Sequence, residues 1–205
     1  MIGVTEEQRA ALEKMAPLLE PGTYLAGGVA VATAYGHRTS RDLDLFVPVD
    51  FDPERLEERL ASALADVRVV GRARGTLHLE VYGVPSSILS YRYRLLKGTE
   101  ERPGLAVRVA SADDLACMKI SAIAGRGLAK DFWDLHEMLE HGVARGELTL
   151  LLEEYALKFP VEDIGHAVRS LAYFGDADAP PLPAGLSAEH WATIKATFQR
   201  MVRSL

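Results

Sequence analysis

The chain has 205 residues, of which 48% are hydrophobic and 25% are charged, as is usual for a globular protein. Its formal net charge of −6 excludes a global positive field that attracts nucleic acid, so any RNA or DNA must contact a local patch. Cys117 is the single cysteine, which excludes an internal disulfide and predicts a reducing compartment. The N-terminal sequence lacks the basic and apolar regions of a signal peptide, and no apolar run reaches the roughly 18 residues of a membrane helix. We therefore predict a cytoplasmic protein with no membrane partner.

The first half of the chain alternates between helical and extended patterns. Helices are predicted at residues 5–19, 29–35 and 54–65, and strands at residues 23–26, 43–47, 67–70, 76–81 and 86–90. Pro21-Gly22 ends the first helix, Gly36 ends the second, and Tyr82-Gly83 forms the turn between the last two strands. This order predicts an α/β (α+β) fold in which residues 1–110 form a first lobe with a mixed sheet.

The second half of the chain has helical sequence patterns. Helical patterns begin near Ser111, Lys130, Leu148, Asp163 and Ser187, and a segment rich in Ala, Pro and Asp before the last of them is predicted to be a loop. We therefore predict an all-helical C-terminal lobe over residues 111–205.

Two acidic residues stand at the entry of the second strand. Because strand side chains alternate between faces, Asp42 and Asp44 are predicted to point the same way while Leu43 is buried. Adjacent carboxylates repel each other, which makes them good ligands for a hard divalent cation such as Mg²⁺ or Mn²⁺. The alternative is a solvated strand start in which Asp42 caps a turn. The glycine pair upstream favours the metal site.

The glycine pair lies between the first strand and the second helix. Gly27 and Gly28 allow the backbone to approach a ligand closely, and the helix that follows presents free N–H groups and a positive dipole end to an anion. A tight strand–helix turn is compatible with the same residues. Phosphate-binding and metal-binding groups side by side indicate metal-assisted phosphoryl or nucleotidyl transfer.

These residues resemble a known family. The spacing of Gly27-Gly28 and Arg38-x-Ser40-x-Asp42-x-Asp44 resembles the signature of the nucleotidyltransferase superfamily, and more narrowly that of the AbiEii/AbiGii toxins of bacterial toxin–antitoxin and abortive-infection systems. A second block resembles that family's downstream motif, and it reads Lys119-Ile-Ser-Ala122, Arg126, Lys130-Asp131-Phe-Trp-Asp134-Leu135. The resemblance covers residues 20–140 and implies a Mg²⁺-bound NTP in a cleft between the two lobes. It also implies that Asp42 and Asp44 are catalytic metal ligands.

Arg38 and Ser40 lie four and two residues before Asp42. Ser40 has the alternative of capping a turn, and Arg38 that of pairing with a carboxylate. A guanidinium group suits phosphate oxygens, so we favour nucleotide contact or support of the acidic strand for both. With Gly27 and Gly28 they form the predicted nucleotide-binding set of the first lobe.

The third acidic residue departs from the superfamily pattern. Its members usually carry one further carboxylate on a neighbouring strand, and the resemblance puts that position near Ser87, which is neither a strong metal ligand nor a base. If Tyr82-Gly83 is a two-residue turn, Ser87 lies opposite His78 and Glu80 falls one position diagonal on the same face. Glu80 is therefore the predicted catalytic substitute, and an outward-facing strand carboxylate is the alternative.

The downstream block supplies cations and two further carboxylates. Lys119, Arg126 and Lys130 recur at intervals of seven and four, which predicts one helical face if the glycine interruption is mild. Solvated or paired side chains are the alternative, but the resemblance favours triphosphate binding. Asp131 reads as the N-cap of the next helix and Asp134 as its third position, and the resemblance makes both nucleotide-binding candidates.

The resemblance implies a Mg²⁺-dependent nucleotidyltransferase that moves NMP from an NTP to an acceptor hydroxyl. The acceptor is expected to be tRNA or another RNA, and the activity to arrest growth unless an antitoxin protein restrains it. Three alternatives stay open: a small-molecule enzyme of the aminoglycoside-modifying type, a nucleotide-binding module without catalysis, and a kinase-like transfer of the γ-phosphate.

Overall fold

The computed structural model describes residues 3–160 and 162–205. The chain forms two compact units, Met1–Ser111 and Ala112–Leu205. One residue separates this division from the predicted lobe boundary, which falls between residues 110 and 111.

The first unit is built on a mixed β-sheet. Within the described residues the sheet has seven strands, β1 (Tyr24–Ala26), β2 (Leu43–Val47), β3 (Val67–Ala73), β4 (Thr76–Val81), β5 (Val84–Ser90), β6 (Thr99–Glu100) and β7 (Arg108–Ala110). Their order is β3-β4-β5-β2-β1-β7-β6. Strand β2 runs parallel to β5 and β1 runs parallel to β7, whereas the other neighbouring pairs are antiparallel. The mixed sheet predicted from the sequence is confirmed.

Alternation along the strands separates a buried face of the sheet from a more open one. Leu43, Leu45 and Val47 of β2 are fully buried, while Asp44 and Phe46 between them are partly exposed. The same alternation continues in β4 and β5. The core of this unit therefore lies on the leucine face, and the polar residues of the central strands are left on the other.

Three helices accompany the sheet, α1 (Glu6–Met15), α2 (Gly27–Tyr35) and α3 (Pro53–Ala63). The predicted first helix extended to residue 19, but the α-helix ends at Met15 and a 3₁₀ turn follows over Ala16–Leu18. The reason is Pro17, which has no N–H to continue the helical hydrogen bonding. Helix α2 begins at Gly27 itself and not at residue 29 as predicted, so both glycines belong to its first turn.

The two strands β6 and β7 are absent from the sequence-based prediction. They are only two and three residues long, and a pattern with a period of two cannot be recognised over so few positions. Strand β7 nonetheless pairs with the central strand β1 and extends the sheet on that side.

In its described residues the second unit is helical, with α4 (Ala112–Arg126), α5 (Ala129–Glu140), α6 (Leu148–Lys158), α7 (Ile164–Leu171), α8 (Gly175–Asp178) and α9 (Ala188–Arg203). The short α8 lies in the segment predicted to be a loop. An aromatic cluster forms the core, because Phe132 packs against Phe174, Trp191 and Phe198 with ring centroids 5.0, 5.8 and 5.5 Å away. The all-helical C-terminal lobe is thus confirmed. None of the helices in the described part of the chain has the length and hydrophobicity needed to cross a bilayer.

Candidate active site

The acidic strand β2 lies at the centre of the sheet. Asp44 is paired in register with Ala26 of β1 on one side and with Ser87 of β5 on the other. Its neighbours Leu43 and Leu45 are buried, so Asp44 faces the opposite side of the sheet. Asp42 lies directly before the strand, is exposed, and has no hydrogen-bond or ion-pair partner among the described residues. Both predicted carboxylates are therefore in positions from which they can bind a ligand.

Gly27 provides the space that the Asp44 carboxylate occupies. A Cβ atom built on Gly27 would lie 2.1 Å from Oδ2 and 2.8 Å from Cγ of Asp44. Gly27 also has a φ angle of +67°, which side-chain-bearing residues rarely adopt. No other residue type fits this position while the carboxylate stays where it is.

Gly28 likewise leaves space for side chains of the loop that precedes the acidic strand. A Cβ atom on Gly28 would lie 2.6 Å from Oγ of Ser40 and 2.8 Å from Nη2 of Arg38. The predicted residues Gly27, Gly28, Arg38, Ser40 and Asp44 are thus neighbours around the first turn of α2. The N-cap residue of α2 is Ala26, which makes no side-chain cap hydrogen bond, so the positive dipole end of this helix faces the same group of residues.

The loop is held by Gln8, the third residue of α1 and part of the capping box at its start. Its side-chain amide donates to the carbonyl oxygens of Ser40 at 2.8 Å and Arg41 at 3.0 Å, and Gln8 itself is 3% exposed. Its Oε1 accepts a hydrogen bond from the N–H of Thr5. The capping box at the start of α1 therefore also positions the residues that lead into Asp42. The Thr5-x-x-Gln8 spacing was visible in the sequence, but its long-range contact was not.

Where the superfamily usually has a third carboxylate, this chain has Ser87, and the side chain of Ser87 contacts His78. Ser87 is directly opposite Asp44 in β5, and its Oγ lies 2.9 Å from Nδ1 of His78 in β4. The predicted register of the β4–β5 hairpin is confirmed. Glu80 lies on the same face, two residues from His78, and its Oε2 is 2.5 Å from the guanidinium of Arg68. The catalytic role of Glu80 stays a prediction, and it requires the carboxylate to leave Arg68.

The downstream block forms a buried charge network in the second unit. Nζ of Lys119 lies 3.1 Å from Asp131 and 2.6 Å from Asp134, and all three side chains are at most 5% exposed. The half-exposed Arg126 donates two hydrogen bonds of 2.8 Å to the Asp131 carboxylate. Burial raises the pKa of Asp131, but the hydrogen bonds from Arg126 and the charges of Lys119 and Arg126 outweigh it and lower the pKa. Asp131 is therefore ionised near neutral pH.

Two details of the prediction for this block are wrong. Asp131 is the third residue of α5 rather than its N-cap, because the helix begins at Ala129, and Asp134 is correspondingly one turn further in. The expected single helical face does not exist either, since α4 ends at Arg126, directly before Gly127 with its φ angle of +55°, and Lys130 belongs to the next helix. The nucleotide-binding role of Lys119, Arg126, Lys130, Asp131 and Asp134 stays a prediction.

Comparison with known proteins gives the site its context. The sequence matches the family described as "Nucleotidyl transferase AbiEii toxin, Type IV TA system" over residues 10–94 and 66–205. An uncharacterized protein of Aquifex aeolicus is 36% identical over 208 residues, which are 97% of this chain and 95% of that protein. The structure is similar to MenT4, a nucleotidyltransferase toxin of Mycobacterium tuberculosis, with a TM-score of 0.64, 17% identity and coverage of 97% and 82% of the two chains. A nucleotidyltransferase-like protein of Paracoccidioides brasiliensis gives a TM-score of 0.52 at 17% identity, covering 81% of this chain and 94% of that one.

The chain belongs to the AbiEii nucleotidyltransferase toxin family. It is therefore a nucleotidyltransferase and a toxin of the type IV toxin–antitoxin class. The family and the enzyme class expected from the two sequence motifs are confirmed, and the family implies an NTP as substrate and an antitoxin as partner. The likeness to the two solved structures shows the shared fold.

In this AbiEii protein Asp42, Asp44 and Ser87 offer oxygen donors, and Nδ1 of His78 lies within hydrogen-bond distance of the Ser87 hydroxyl. Asp42 and Asp44 offer carboxylates, and Ser87 offers a hydroxyl opposite Asp44. Oxygen ligands are those that Mg²⁺ and Mn²⁺ prefer, whereas the neighbouring helix terminus and Arg38 suit phosphate. The residues present thus fit a hard divalent cation together with a phosphate group.

We expect Gly27→Ala to lower the rate of nucleotidyl transfer by about 10²-fold. The added methyl group must displace the Asp44 carboxylate. A small misplacement of a catalytic group has an effect of about this size. The matched control is Gly98→Ala. Gly98 has a φ angle of +82° but nothing within 4 Å of the added Cβ, so it tests backbone strain alone. The measurement is the transfer rate of both variants, with circular dichroism to verify folding. Equal losses in the two variants would contradict the role given to Gly27.

Proposed function

We propose that this protein transfers NMP from a metal-bound NTP to an acceptor hydroxyl, and that RNA, tRNA above all, is the acceptor. The observation that supports the proposal is the contact between Gly27 and Asp44. It brings the anion-binding start of α2 against the carboxylate strand, so that one NTP can meet both.

The residues of the first unit have separate roles in this proposal. Asp42 and Asp44 would hold Mg²⁺, and the N–H groups at Gly27 and Gly28 with Arg38 and Ser40 would orient the phosphates. When bound, Mg²⁺ would neutralise charge on the α-phosphate and on the departing pyrophosphate. The acceptor oxygen forms a bond to the α-phosphorus, the bond to the pyrophosphate oxygen breaks, and the hydroxyl proton passes to a carboxylate base.

A cavity next to the site gives room for part of a substrate. It measures about 490 Å³ and is lined by residues of the Ser40 loop, the start of α1 and the β4–β5 turn. Ser40 belongs both to this cavity and to the phosphate-binding set. A nucleobase or an acceptor group in the cavity would therefore be next to the bound phosphates.

The test is to incubate the pure protein with Mg²⁺, each α-labelled NTP in turn, and total bacterial RNA. We expect label in an RNA band for one or more NTPs and release of pyrophosphate. Label in a product formed without RNA would instead support a small-molecule acceptor. Release of ADP would support the kinase alternative, and NTP binding without any product would support a module that has lost catalysis.

Glu80 is proposed as the base that receives the acceptor proton. It lies on the face of the sheet that carries Asp44 and Ser87, and no carboxylate occupies the position opposite Asp44. We expect Glu80→Gln to lower the transfer rate by about 10²-fold or more, which is the usual contribution of a general base. Glu58→Gln, a change to an exposed carboxylate of helix α3, is the control. Full activity of Glu80→Gln would remove Glu80 from the mechanism.

The partner of the toxin is proposed to be a neighbouring antitoxin protein that restrains its activity. The family description supports such a partner for this chain. Growth arrest on expression, relieved by co-expression of the adjacent gene product, is the expected result.

A further inference from the structure

Three side chains of types that commonly bind metals lie close together in the second unit, and none of them belongs to the candidate active site. His136 and Glu137 belong to α5, and His190 belongs to the first turn of α9. One ligand atom from each of the three lies within 4.8 Å of those of the other two. His136 is 8% exposed, and the other two side chains are half-buried.

The hydrogen bonding of this cluster is incomplete. Nδ1 of His136 is buried and has no hydrogen-bond partner among the described residues. A buried nitrogen without a partner is unfavourable, and a metal ion is one of the few groups that can compensate for it. The three ligand atoms and this buried nitrogen together are the geometric basis for a metal site.

The surrounding contacts hold the three side chains in place. Oε1 of Glu137 accepts a hydrogen bond of 3.2 Å from Nε1 of Trp133, and Oε2 lies 4.0 Å from Nδ1 of His141, which is too long for a hydrogen bond. The backbone N–H of His190 donates to Oγ of Ser187, the N-cap of α9, at 3.1 Å, which fixes the main chain of His190 but not its ring. The ring of His190 packs edge-on against those of Trp133 and His136, each with a centroid distance of 6.0 Å. Ring packing accounts for these two contacts but not for the buried Nδ1 of His136.

We propose that His136, Glu137 and His190 bind one transition-metal ion of the zinc class and thereby attach α9 to α5. Two imidazoles and one carboxylate are a donor set typical of Zn²⁺, Co²⁺ or Ni²⁺, and a water molecule completes the coordination. This set differs from the oxygen donors around Asp44, which suit Mg²⁺. Helix α5 also carries Asp131 and Asp134, so the metal stabilises the helix that holds the buried charge network.

The experiment uses the full chain without a histidine tag, freed of metal with a chelator and then titrated with Co²⁺ and Zn²⁺. We expect one Co²⁺ per chain with visible d–d absorption, displacement of Co²⁺ by Zn²⁺ but not by a large excess of Mg²⁺, and a higher unfolding temperature with Zn²⁺. The variant His190→Gln should weaken metal binding at least about 100-fold, because it removes a direct ligand. His190 is half-buried, so this change is better tolerated than one at His136.

Two controls make the result specific. His166→Gln changes an exposed histidine of α7 and should bind Co²⁺ like the unmodified protein. The Asp42→Asn/Asp44→Asn variant should also keep the cobalt spectrum. The proposal is overturned if the unmodified protein takes up no Co²⁺ or Zn²⁺, if His190→Gln binds as tightly, or if the spectrum disappears in the aspartate variant.

Discussion

Replacing Asp42 and Asp44 together with asparagine should lower nucleotidyl transfer by about 10³-fold or more, because the loss of a single charge-stabilising group in an active site already costs 10²- to 10³-fold. Asparagine keeps the shape of the side chain but removes the charge that holds a divalent cation. Asp42 is exposed and has no partner among the described residues, so its change should not disturb the fold. The rate of label transfer from each α-labelled NTP is the measurement.

The control for this variant is Asp66→Asn, which removes an exposed carboxylate from the same unit. It should transfer label at the normal rate. The double variant should also lose toxicity when it is expressed in cells. Retained transfer or retained toxicity in Asp42→Asn/Asp44→Asn, with Mg²⁺ present, would reject the proposed metal site.

The second large effect concerns stability. Lys158 of α6 and Asp114 of α4 form a salt bridge of 2.7 Å in which both side chains are fully buried. Lys158→Met should destabilise the second unit by about 3–5 kcal/mol, because it removes the positive charge that lies 2.7 Å from the buried carboxylate of Asp114. The combined change Asp114→Leu/Lys158→Met should recover most of this loss, since apolar side chains of similar volume often replace a buried ion pair without penalty.

The unfolding of this unit can be observed by itself. Both tryptophans of the chain, Trp133 and Trp191, are buried in the second unit, so urea unfolding followed by tryptophan fluorescence reports on it. Arg169→Met is the control, because it breaks an exposed ion pair with Asp163 in the same unit and should hardly move the midpoint. The prediction would be contradicted if Lys158→Met shifted the urea unfolding midpoint no more than the Arg169→Met control does.

Much of the candidate site could be predicted because it lies within 18 residues of contiguous sequence, Gly27 to Asp44. Strand alternation assigns Asp44 to the face opposite Leu43, and a glycine pair before a helix indicates a close approach of the backbone. The hairpin register of Ser87 and His78 was also predictable, since a two-residue turn fixes which residues pair. Local rules therefore led to the fold class, and the resemblance of the two motifs to a known family led to the family.

The errors arose where a distant residue decides the outcome. The sequence did not show that Asp131 and Asp134 surround Lys119 in the structure, and the nucleotide-binding role of Lys119 stays a prediction. The strand β7 was missed because its pairing with β1 bridges about 80 positions of sequence and is too short to leave a pattern.

The sequence by itself determined the chemistry available to this protein, namely carboxylates for a hard cation and an uncapped helix start for phosphate, since these depend on residue type and local backbone geometry. Only the tertiary structure decided which groups meet. It paired Ser87 with Asp44, joined Gln8 to the loop before Asp42, and brought His190 to His136. Such contacts depend on how whole helices and strands pack, and packing is specified by the sum of many buried side chains rather than by any motif.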